Sequence, residues 1–540
     1  MPTERRSGTV NAAYLWGLAS VAVIVALTYL LIRDDSPAPR TDVDPAERSA
    51  SGQSGELFMY CAAGMRYPME EIVAQYKKEY GVDVQLQYGG SNTLLNQLDV
   101  SATGDLYLAG DDSYVRLAEQ KELTAESFPL ASMRPVLIVP RDNPKNITTA
   151  DDLLREDVKV ALGDPGAAAV GRKTRSLLSA TGHWVRLEPK VTVFKPTVND
   201  VANAVTLGSV DVGIVWDSTA HQYGDLRALR VPELDAGTAT VEVAIVQNSK
   251  QPTAALHFAR YVAARDRGLQ IFAKHGFEVM EGDVWADRPE ITFFAGAVNR
   301  RALEPIIAEF QQREGVQVNT VYNGCGILTA QMRTTMESKN GAFPDTYMAC
   351  DVYYLETVKE YFQDAVNVSD TDIVIVVQKG NPKNIQSVAD LTRPGVRVAL
   401  GQPDQCTIGV LSRRLLQSEG VYDTILENGN LVTQTATSAL LVPAITTQAA
   451  DAVLAYRTDT LAERSRLDIV EIPSTLSKAV QPYSISRSSD FKYLGRRLFD
   501  TIARSRDKFE SAGFHWRLKS GSASRTSQQS LPTKPASKPS

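Results

Sequence analysis

Hydrophobic and polar positions along the chain alternate in a way that predicts strands followed by helices. Residues 57–60 form a short apolar run, and residues 67–80 then place apolar side chains at helical spacing. Residues 82–88 alternate between apolar and polar side chains, as in a half-buried strand. Residues 158–162 and 212–216 are mostly apolar and rich in β-branched side chains, which is typical of buried parallel strands. Repeated strand–helix–strand units predict open α/β sheets, whose ligands bind at the carboxyl ends of the strands.

This pattern occurs twice in the chain. The pentapeptide Asn-Pro-Lys-Asn-Ile at residues 143–147 recurs unchanged at residues 381–385, and the tetrapeptide Val-Ala-Leu-Gly follows it in both copies. Two copies of about 230 residues each are too long to be the units of a solenoid. We therefore expect two tandem domains, at residues 56–286 and 287–516.

Near its N terminus the chain has an apolar segment long enough to cross a membrane. Residues 12–32 contain no charged side chain, and as a helix they would extend about 31 Å, enough for the hydrocarbon core. The segment ends without the small-residue site at which a signal peptide is cleaved. We expect residues 1–33 to form a cytoplasmic tip and an uncleaved transmembrane anchor, with a cleaved signal peptide as the alternative. Arg5 and Arg6 favour a cytoplasmic N terminus on the inner membrane, with the bulk of the chain in the periplasm or outside the cell.

Two further segments lack the periodicity of a folded domain. Residues 34–55 are rich in Ser, Pro, Asp and Gly, which is typical of a flexible linker. Residues 517–540 combine Ser and Pro with basic side chains and contain no acidic one, which is typical of a disordered tail. We therefore expect a tether before the two domains and a basic tail after them.

The composition excludes several classes of protein. Of the 540 residues, 43% are hydrophobic and 22% are charged, as in ordinary globular proteins. The net charge of −6 gives no sign of a nucleic-acid surface, and four cysteines are too few for a disulfide scaffold. A soluble binding module and an enzyme remain.

Motifs of catalysis are absent from the sequence. It contains no Walker-type loop, no nucleophile elbow and no zincin motif. The paired carboxylates at residues 111–112 and 151–152 fit helix caps better than acid–base work. We expect a binding protein with no enzymatic activity and no cofactor.

The loops that follow the predicted strands carry small and polar residues. Residues 61–64, 89–93 and 163–168 are of this kind, and the last two open predicted helices. Small residues let a ligand approach the backbone, and free N–H groups at a helix N terminus favour an anion. Ser91 could donate its hydroxyl to such a ligand or simply cap its helix. These three loops contain no Lys or Arg, so the binding of an anion there would depend on neutral hydrogen-bond donors.

These loops and strands resemble the molybdate-binding periplasmic protein family. The resemblance lies in residues 60–65 (YCAAGM), 88–95 (YGGSNTLL) and 104–111 (GDLYLAGD), and it continues in the family's order through residues 136–144, 211–216 and 276–277. It covers nearly all of both repeats. It implies that each repeat is a periplasmic-binding-protein-like domain of type II, with two α/β lobes joined by crossover strands, behind one N-terminal transmembrane helix.

The resemblance also implies where a ligand would bind. The family closes its two lobes on a tetrahedral oxyanion, which backbone N–H groups, two serine hydroxyls and one tyrosine hydroxyl hold. In the first repeat Gly64 and Ser91 correspond to the two serines, Ala167 and Val198 to backbone N–H donors, and Trp216 to the tyrosine. In the second repeat the residues at the same positions are Val298, Cys325, Gln405 or Cys406, Ser438 and Tyr456. The first repeat keeps one of the three side-chain hydroxyls, at Ser91, and the second keeps only the tyrosine.

Three cysteines lie at predicted strand-end loops of the second repeat: Cys325, Cys350 and Cys406. They could be separate small residues, they could ligate a soft metal such as Cu(I), or Cys325 and Cys406 could form a disulfide that locks the lobes. The three cysteines have no CxxC spacing, so their positions in the sequence give only a weak indication of a metal site.

The function that these features indicate is solute binding by hinge closure, without chemistry. We expect a membrane-anchored extracytoplasmic protein that binds a small oxyanion, such as molybdate or tungstate, for an ABC-type permease and ATPase. One alternative is a ligand sensor or scaffold with degenerate clefts, and another is soft-metal binding by the cysteines of the second repeat.

Overall fold

The computed structural model describes residues 55–338, 341 and 343–519. The predicted membrane anchor lies outside these residues, as do nearly all of the predicted linker and tail. Within the described ranges, no helix has the length and apolar character that crossing a bilayer requires.

The strands of the first repeat form two sheets, one in each lobe. They are β1 (Leu57–Ala62), β2 (Val84–Gly89), β3 (Leu106–Ala109), β4 (Thr124–Met133), β5 (Pro135–Pro140), β6 (Val160–Gly163), β7 (Val193–Lys195), β8 (Val212–Trp216), β9 (Leu226–Leu229), β10 (Ala239–Val246) and β11 (Glu278–Val279). The first sheet has the order β11-β4-β10-β3-β1-β2, and the second has the order β7-β6-β8-β5-β9. Strands β1, β2 and β3 are mutually parallel, as are β6, β7 and β8, so the predicted parallel α/β arrangement is present in both lobes.

Helices cover both sheets of the first repeat. They are α1 (Arg66–Tyr80), α2 (Ser91–Ser101), α3 (Asp112–Gln120), α4 (Ala169–Ala180), α5 (Trp184–Leu187), α6 (Val198–Thr206), α7 (Asp217–His221), α8 (Pro232–Asp235), α9 (Pro252–Ala263) and α10 (Gly268–Lys274). Helix α1 forms where the spacing predicts it, because Met69, Ile72 and Tyr76 fall on one buried face. It ends at Gly81, whose φ of 71° suits the left-handed cap.

The second repeat has a similar order of elements, with one strand and two α-helices fewer than the first among the described residues. Its strands are β12 (Glu290–Gly296), β13 (Gln317–Asn323), β14 (Thr346–Met348), β15 (Val366–Gln378), β16 (Val398–Gly401), β17 (Leu431–Thr435), β18 (Ala452–Tyr456), β19 (Leu467–Val470), β20 (Lys478–Ile485) and β21 (His515–Trp516). Its helices are α11 (Arg300–Glu314), α12 (Cys325–Ser338), α13 (Val352–Glu356), α14 (Thr407–Ser418), α15 (Tyr422–Glu427), α16 (Leu441–Thr446), α17 (Lys492–Arg504) and α18 (Arg506–Ser511).

The crossover between lobes differs in the two repeats. In the second repeat the long strand β15 pairs with both β20 and β18, so it joins both lobes into one sheet of the order β13-β12-β14-β20-β15-β18-β16-β17. In the first repeat the corresponding segment is split at Arg134 into β4 and β5, and the sheets are separate. The Arg134 N–H donates to a carboxylate oxygen of Asp217 at this break.

Each repeat has its own hydrophobic core. One core contains buried residues between Leu57 and Phe277, and the other contains buried residues between Ile291 and Phe514. Each is large enough for a domain to fold around, as expected for tandem domains.

A buried ionic cluster joins the two repeats. Glu314 of α11 accepts hydrogen bonds from Arg497 Nε at 2.7 Å and from Arg260 Nη1 at 3.3 Å, and Arg260 belongs to the first repeat. All three side chains are almost completely buried. Burial alone would raise the pKa of Glu314, but the charges of Arg497 and Arg260 hold it below its ordinary value. The interface between the repeats is therefore specified by charge as well as by packing.

Candidate functional site

The carboxyl ends of three parallel strands meet at one edge of the first lobe. Register pairs Ala62 at the end of β1 with Gly89 at the end of β2, and it pairs Cys61 with Leu108 in β3. The loops after these strands therefore lie together, as the sequence predicts for parallel strands.

A small cavity lies where these loops face the second lobe of the first repeat. Its volume is about 20 Å³, slightly more than the space a single water molecule needs. It is lined by Ala62, Ala63, Gly64, Met65, Gly89, Gly90, Ser91, Gly110, Ala168, Ala169, Val170, Thr197, Val198 and Trp216. No lining side chain is charged, so the cavity can only offer neutral donors and helix N termini.

The structure brings four of the five expected first-repeat residues to this cavity: Gly64, Ser91, Val198 and Trp216. Ala167 lies just outside the lining, and its N–H donates to the carbonyl of Asp164 at 3.0 Å. The resemblance makes Ala167 a backbone N–H donor to the ligand. The N–H groups at the N terminus of α4, around Ala169, are better placed for that role because Ala169 lines the cavity.

Ser91 has a hydrogen-bonding arrangement that differs from a helix cap. The cap residue of α2 is Gly90, and Ser91 is the first helical residue. The Ser91 hydroxyl oxygen accepts a hydrogen bond from the Gly110 N–H at 3.1 Å, and its carbonyl accepts one from Tyr107. The hydroxyl is nearly fully buried beside the cavity, and its own proton remains able to donate.

Thr219 is a cavity neighbour that the sequence analysis did not identify. Its side chain is fully buried on α7, and no described residue offers a hydrogen-bond partner to Oγ1. A β-carbon built on Gly64 would lie 3.6 Å from that oxygen, so the hydroxyl adjoins the cavity wall. The residue lies three positions after Trp216, the last residue of β8, but no loop of small residues marks this strand end and the hydrophobic pattern gave no signal for Thr219.

Gly64 and Trp216 are complementary in size. A β-carbon at residue 64 would lie 3.2 Å from Val198 Cγ1 and 4.0 Å from Trp216 Cδ1. The indole ring and Val198 therefore occupy the space into which a larger side chain at position 64 would extend. The space around residue 64 therefore fits a glycine and is already occupied where a serine side chain would lie.

In the first repeat the two lobes are in direct contact across the cleft. The Asn92 N–H donates to the carbonyl of Ala167 at 3.0 Å, and the Asn92 amide donates to the carbonyl of Gly166 at 2.7 Å. A β-carbon on Gly90 would lie 2.5 Å from Ala167 O and 2.6 Å from Pro196 O. The cleft is therefore closed, and the absence of a side chain at Gly90 permits the closure.

The second repeat closes in the same way. A β-carbon on Gly324 would lie 2.5 Å from Gln405 O and 2.8 Å from Ala436 O. The Tyr354 hydroxyl also crosses the cleft and donates to the carbonyl of Pro403 at 2.8 Å. Both repeats thus adopt the closed form of a hinged two-lobed domain.

The five expected second-repeat positions are all buried at this closed cleft: Val298, Cys325, Cys406, Ser438 and Tyr456. Gln405, the alternative to Cys406, contributes its backbone carbonyl to the contact with the other lobe. The Tyr456 hydroxyl has no hydrogen-bond partner among the described residues, and burial raises its pKa well above the ordinary value.

The cysteines of the second repeat lie in two places. Cys325 Sγ is 2.8 Å from Cys350 Sγ, whereas Cys406 Sγ lies near the carbonyls of Gln402 and Thr435. All four cysteines of the chain are buried free thiols. In the described part of the chain, no three His, Cys, Asp or Glu side chains are arranged to hold a metal ion, so the three thiols are not arranged as the soft-metal cluster that was one of the alternatives. Cys325 also has Cys350 as its neighbour, where the disulfide hypothesis paired it with Cys406.

Comparison with known proteins agrees with this architecture. The model of the bacterial extracellular solute-binding protein family matches residues 57–278 and 291–515. The molybdate-binding protein ModA of Mycobacterium tuberculosis is 28% identical over 264 residues, which are 48% of this chain and 97% of that protein. ModA of Escherichia coli is 26% identical over 242 residues, 43% of this chain and 92% of that protein.

Two solved structures are also similar to part of the chain. The substrate-binding domain of a putative molybdenum ABC transporter from Clostridium difficile has a TM-score of 0.33 and 24% identity, and the match covers 41% of this chain and 97% of that one. The periplasmic molybdate-binding protein of Azotobacter vinelandii has a TM-score of 0.36 and 14% identity, with 41% and 98% covered. The two family matches together span most of the chain, so this protein belongs to the bacterial extracellular solute-binding proteins and carries two copies of their domain in tandem.

Proposed function

We propose that the first repeat binds one small tetrahedral oxyanion of the molybdate or tungstate kind and delivers it to an ABC-type importer. The protein would lie outside the cytoplasm and be held at the inner membrane by residues 12–32. A permease and an ATPase would be separate partners, because the sequence has no nucleotide-binding loop. Solute-binding relatives whose names include molybdate support this assignment.

The observation that carries the proposal is the pair of buried hydroxyls beside the first-repeat cavity. Thr219 Oγ1 has no described partner, and Ser91 Oγ accepts from Gly110 while its proton can donate elsewhere. A buried hydroxyl without a partner costs free energy, on the order of 1–3 kcal/mol. A ligand with several acceptor oxygens is larger than one water molecule, so it would satisfy both donors in a form whose cavity is wider than the roughly 20 Å³ of this closed structure.

The helices around the cavity add donors suited to an anion. Gly90 precedes α2 and Ala168 precedes α4, and neither helix has a side-chain cap at its N terminus. The first N–H groups of such a helix have no partner within it, and the helix dipole places partial positive charge there. The absence of Lys and Arg from the lining means that selectivity would depend on size and on the number of acceptors.

The second repeat lacks the matching hydroxyls, and we propose that it does not bind the oxyanion. Val298 and Cys325 occupy the two serine positions of the family, and of the three hydroxyls only Tyr456 remains. A thiol is a much weaker donor than a hydroxyl. The expected stoichiometry is therefore one oxyanion per chain.

Binding would proceed by hinge closure without any chemical step. The lobes of the first repeat would rotate about the crossover near Arg134, and the contacts of Asn92 with the opposite lobe would form only on closure. Release to a permease would require the reverse motion.

Calorimetry on the purified full-length protein tests the proposal. Molybdate, tungstate, sulfate and phosphate would be titrated separately, and we expect one site that prefers one of these anions. Ser91→Ala and Thr219→Val should each weaken its affinity about tenfold, which corresponds to one lost hydrogen bond of about 1.4 kcal/mol. Ser179→Ala and Thr181→Val are matched controls, because both residues lie at the far end of α4 near the surface.

Two results would count against the proposal. Failure of all four anions to bind would remove the oxyanion assignment. Binding that survives both Ser91→Ala and Thr219→Val unchanged would place the site elsewhere.

A further inference from the structure

The cleft of the second repeat holds two sulfur atoms in direct contact. Cys325 is the first residue of α12, Cys350 follows β14, and their sulfur atoms are 2.8 Å apart. The Cys350 N–H also donates to Cys325 Sγ at 3.1 Å. Both side chains are buried, so the contact is held by the surrounding lobe.

Comparison of the two repeats shows how this pair arises. Cys325 and Cys350 stand where the first repeat has Ser91 and Gly110, and the N–H of Gly110 donates to Ser91 Oγ at the same 3.1 Å. The second repeat therefore keeps the hydrogen bond but replaces its oxygen with sulfur and adds a second sulfur on the donor residue.

A compensating change makes room for the second sulfur. Gly296 stands where the first repeat has Ala62, at the end of the first strand of the repeat. A β-carbon on Gly296 would lie 2.2 Å from Cys350 Sγ and 2.8 Å from Cys325 Sγ. Compared with the first repeat, the second repeat lacks the methyl group of Ala62 at Gly296 and has an additional thiol at Cys350 in place of Gly110. The space around Gly296 is therefore filled by the two sulfur atoms.

We propose that Cys325 and Cys350 are a redox pair that forms a disulfide bond within one lobe of the second repeat. The lobe that carries α12 would be cross-linked while the hinge stays free, because both residues belong to the same lobe. This differs from a bridge to Cys406, which would fix the two lobes together. Disulfides persist in oxidising compartments, so the bond suits the extracytoplasmic location under the proposed function.

The two thiols differ in their readiness to react. Burial raises the pKa of the Cys325 thiol, but hydrogen bonds from Cys350 outweigh this and bring the pKa below its ordinary value. The position of Cys325 at the N terminus of a 14-residue helix acts in the same direction. The pKa of Cys350 is raised well above its ordinary value, chiefly by its hydrogen bond to Cys325. Cys325 is therefore the attacking thiolate.

The reaction needs an external disulfide as the oxidant. The Cys325 thiolate attacks one sulfur of that disulfide, forms a mixed disulfide and releases one thiolate. Cys350 then loses its proton to solvent and attacks the Cys325 sulfur, which releases the second thiolate. Two protein thiols are oxidised to one disulfide, and the external disulfide is reduced to two thiols. The exchange would take place while the lobes are apart, since both sulfur atoms are buried in this closed form.

Peptide mapping by mass spectrometry tests the proposal on purified full-length protein. The protein would be fully reduced, incubated with oxidised glutathione, denatured and alkylated without reductant. We expect one cross-linked peptide that joins Cys325 to Cys350, while Cys61 and Cys406 are alkylated. Because this experiment uses purified protein and no anion, its outcome is independent of oxyanion binding.

Thermal unfolding supplies a second measurement. Reductant should lower the melting temperature of the oxidised protein by about 5–10 °C, as expected for opening a loop of about 25 residues. Cys350→Ser should abolish this shift, and Cys406→Ser should keep it. Full alkylation of Cys325 and Cys350 after glutathione treatment, a cross-link from Cys325 to Cys406, or a metal ion bound to the pair would each overturn the proposal.

Discussion

The backbone N–H of Asn92 in one lobe of the first repeat donates to the carbonyl of Ala167 in the other lobe, at 3.0 Å. This bond uses a donor at the N terminus of α2, next to the cavity. The lobes can approach this closely because Gly90, the cap of that helix, has no side chain. The closed cleft therefore requires a residue without a side chain at position 90.

Gly90→Ala should keep the first repeat from closing. The added β-carbon would lie 2.5 Å from Ala167 O, a distance that backbone atoms do not tolerate, so the lobes must move apart. We expect the affinity for the oxyanion to fall at least about tenfold, since only the closed fraction binds tightly. Calorimetry measures this, with Gly224→Ala as the control because nothing lies within 4 Å of a β-carbon there. Equal affinity in both variants would show that these carbonyl contacts are not part of the bound state.

Gly64 and Val198 should be energetically coupled. Gly64→Ser places a β-carbon 3.2 Å from Val198 Cγ1, and such overpacking typically costs about 1–3 kcal/mol. In the background of Val198→Ala the same substitution should cost about 1 kcal/mol less, because the crowded methyl group is gone. Urea unfolding of the two single variants, the double variant and the parent gives the coupling energy. A coupling energy of zero would mean that the serine is accommodated by another movement.

Glu314→Gln should destabilise the interface between the repeats. It leaves Arg260 and Arg497 buried without their counter-charge, a change that typically costs about 3–5 kcal/mol. Glu304→Gln on the same helix removes an exposed ion pair with Arg300 and should cost far less, because solvent screens exposed pairs. Denaturant unfolding monitored by tryptophan fluorescence compares the two. Similar losses in both variants would contradict the dependence of the interface on the buried cluster.

Glu242 should make the protein less stable as pH rises. Burial raises the pKa of its carboxyl to about 8, and Asp112 and Glu119 nearby act in the same direction. The folded state therefore keeps a proton that the unfolded chain releases near pH 4.5. The contribution of this retained proton to the free energy of unfolding is fully present below pH 4.5. It is lost as pH rises toward 8, a decrease on the order of a few kcal/mol.

Glu242→Gln is the matching variant, because the amide cannot ionise. Its free energy of unfolding should vary less between pH 5 and pH 8 than that of the parent. Glu290→Gln, at an exposed position, should leave the pH dependence unchanged. An identical pH profile for Glu242→Gln and the parent would show that Glu242 is already ionised in the folded protein.

Much of the fold was predictable because its signals are local. The repeat is visible as identical short peptides, such as residues 143–147 and 381–385, and it matches two family domains. The strands and helices follow from spacing of apolar residues within ten or fifteen positions, as in α1. The membrane anchor at residues 1–33 stays a prediction, because it lies outside the described residues.

The candidate site was predictable only in part. Parallel strands place their carboxyl ends together, so the strand-end loops indicated Gly64 and Ser91. Val198 and Trp216 were identified only through the resemblance to the molybdate-binding family, and all four residues line the cavity. Thr219 was missed, because a buried threonine without a partner looks like any other helical threonine until its neighbours are known.

By itself, the sequence determined the number of domains, their α/β class and the loops that form each cleft, because those depend on periodicity and on small residues beside strand ends. Only the tertiary structure decided which residues meet. The exchange of Ala62 and Gly110 for Gly296 and Cys350, and the Arg260–Glu314–Arg497 cluster, join positions far apart in the chain. Their contacts arise from register and lobe packing, and no local pattern encodes a distance between two distant side chains.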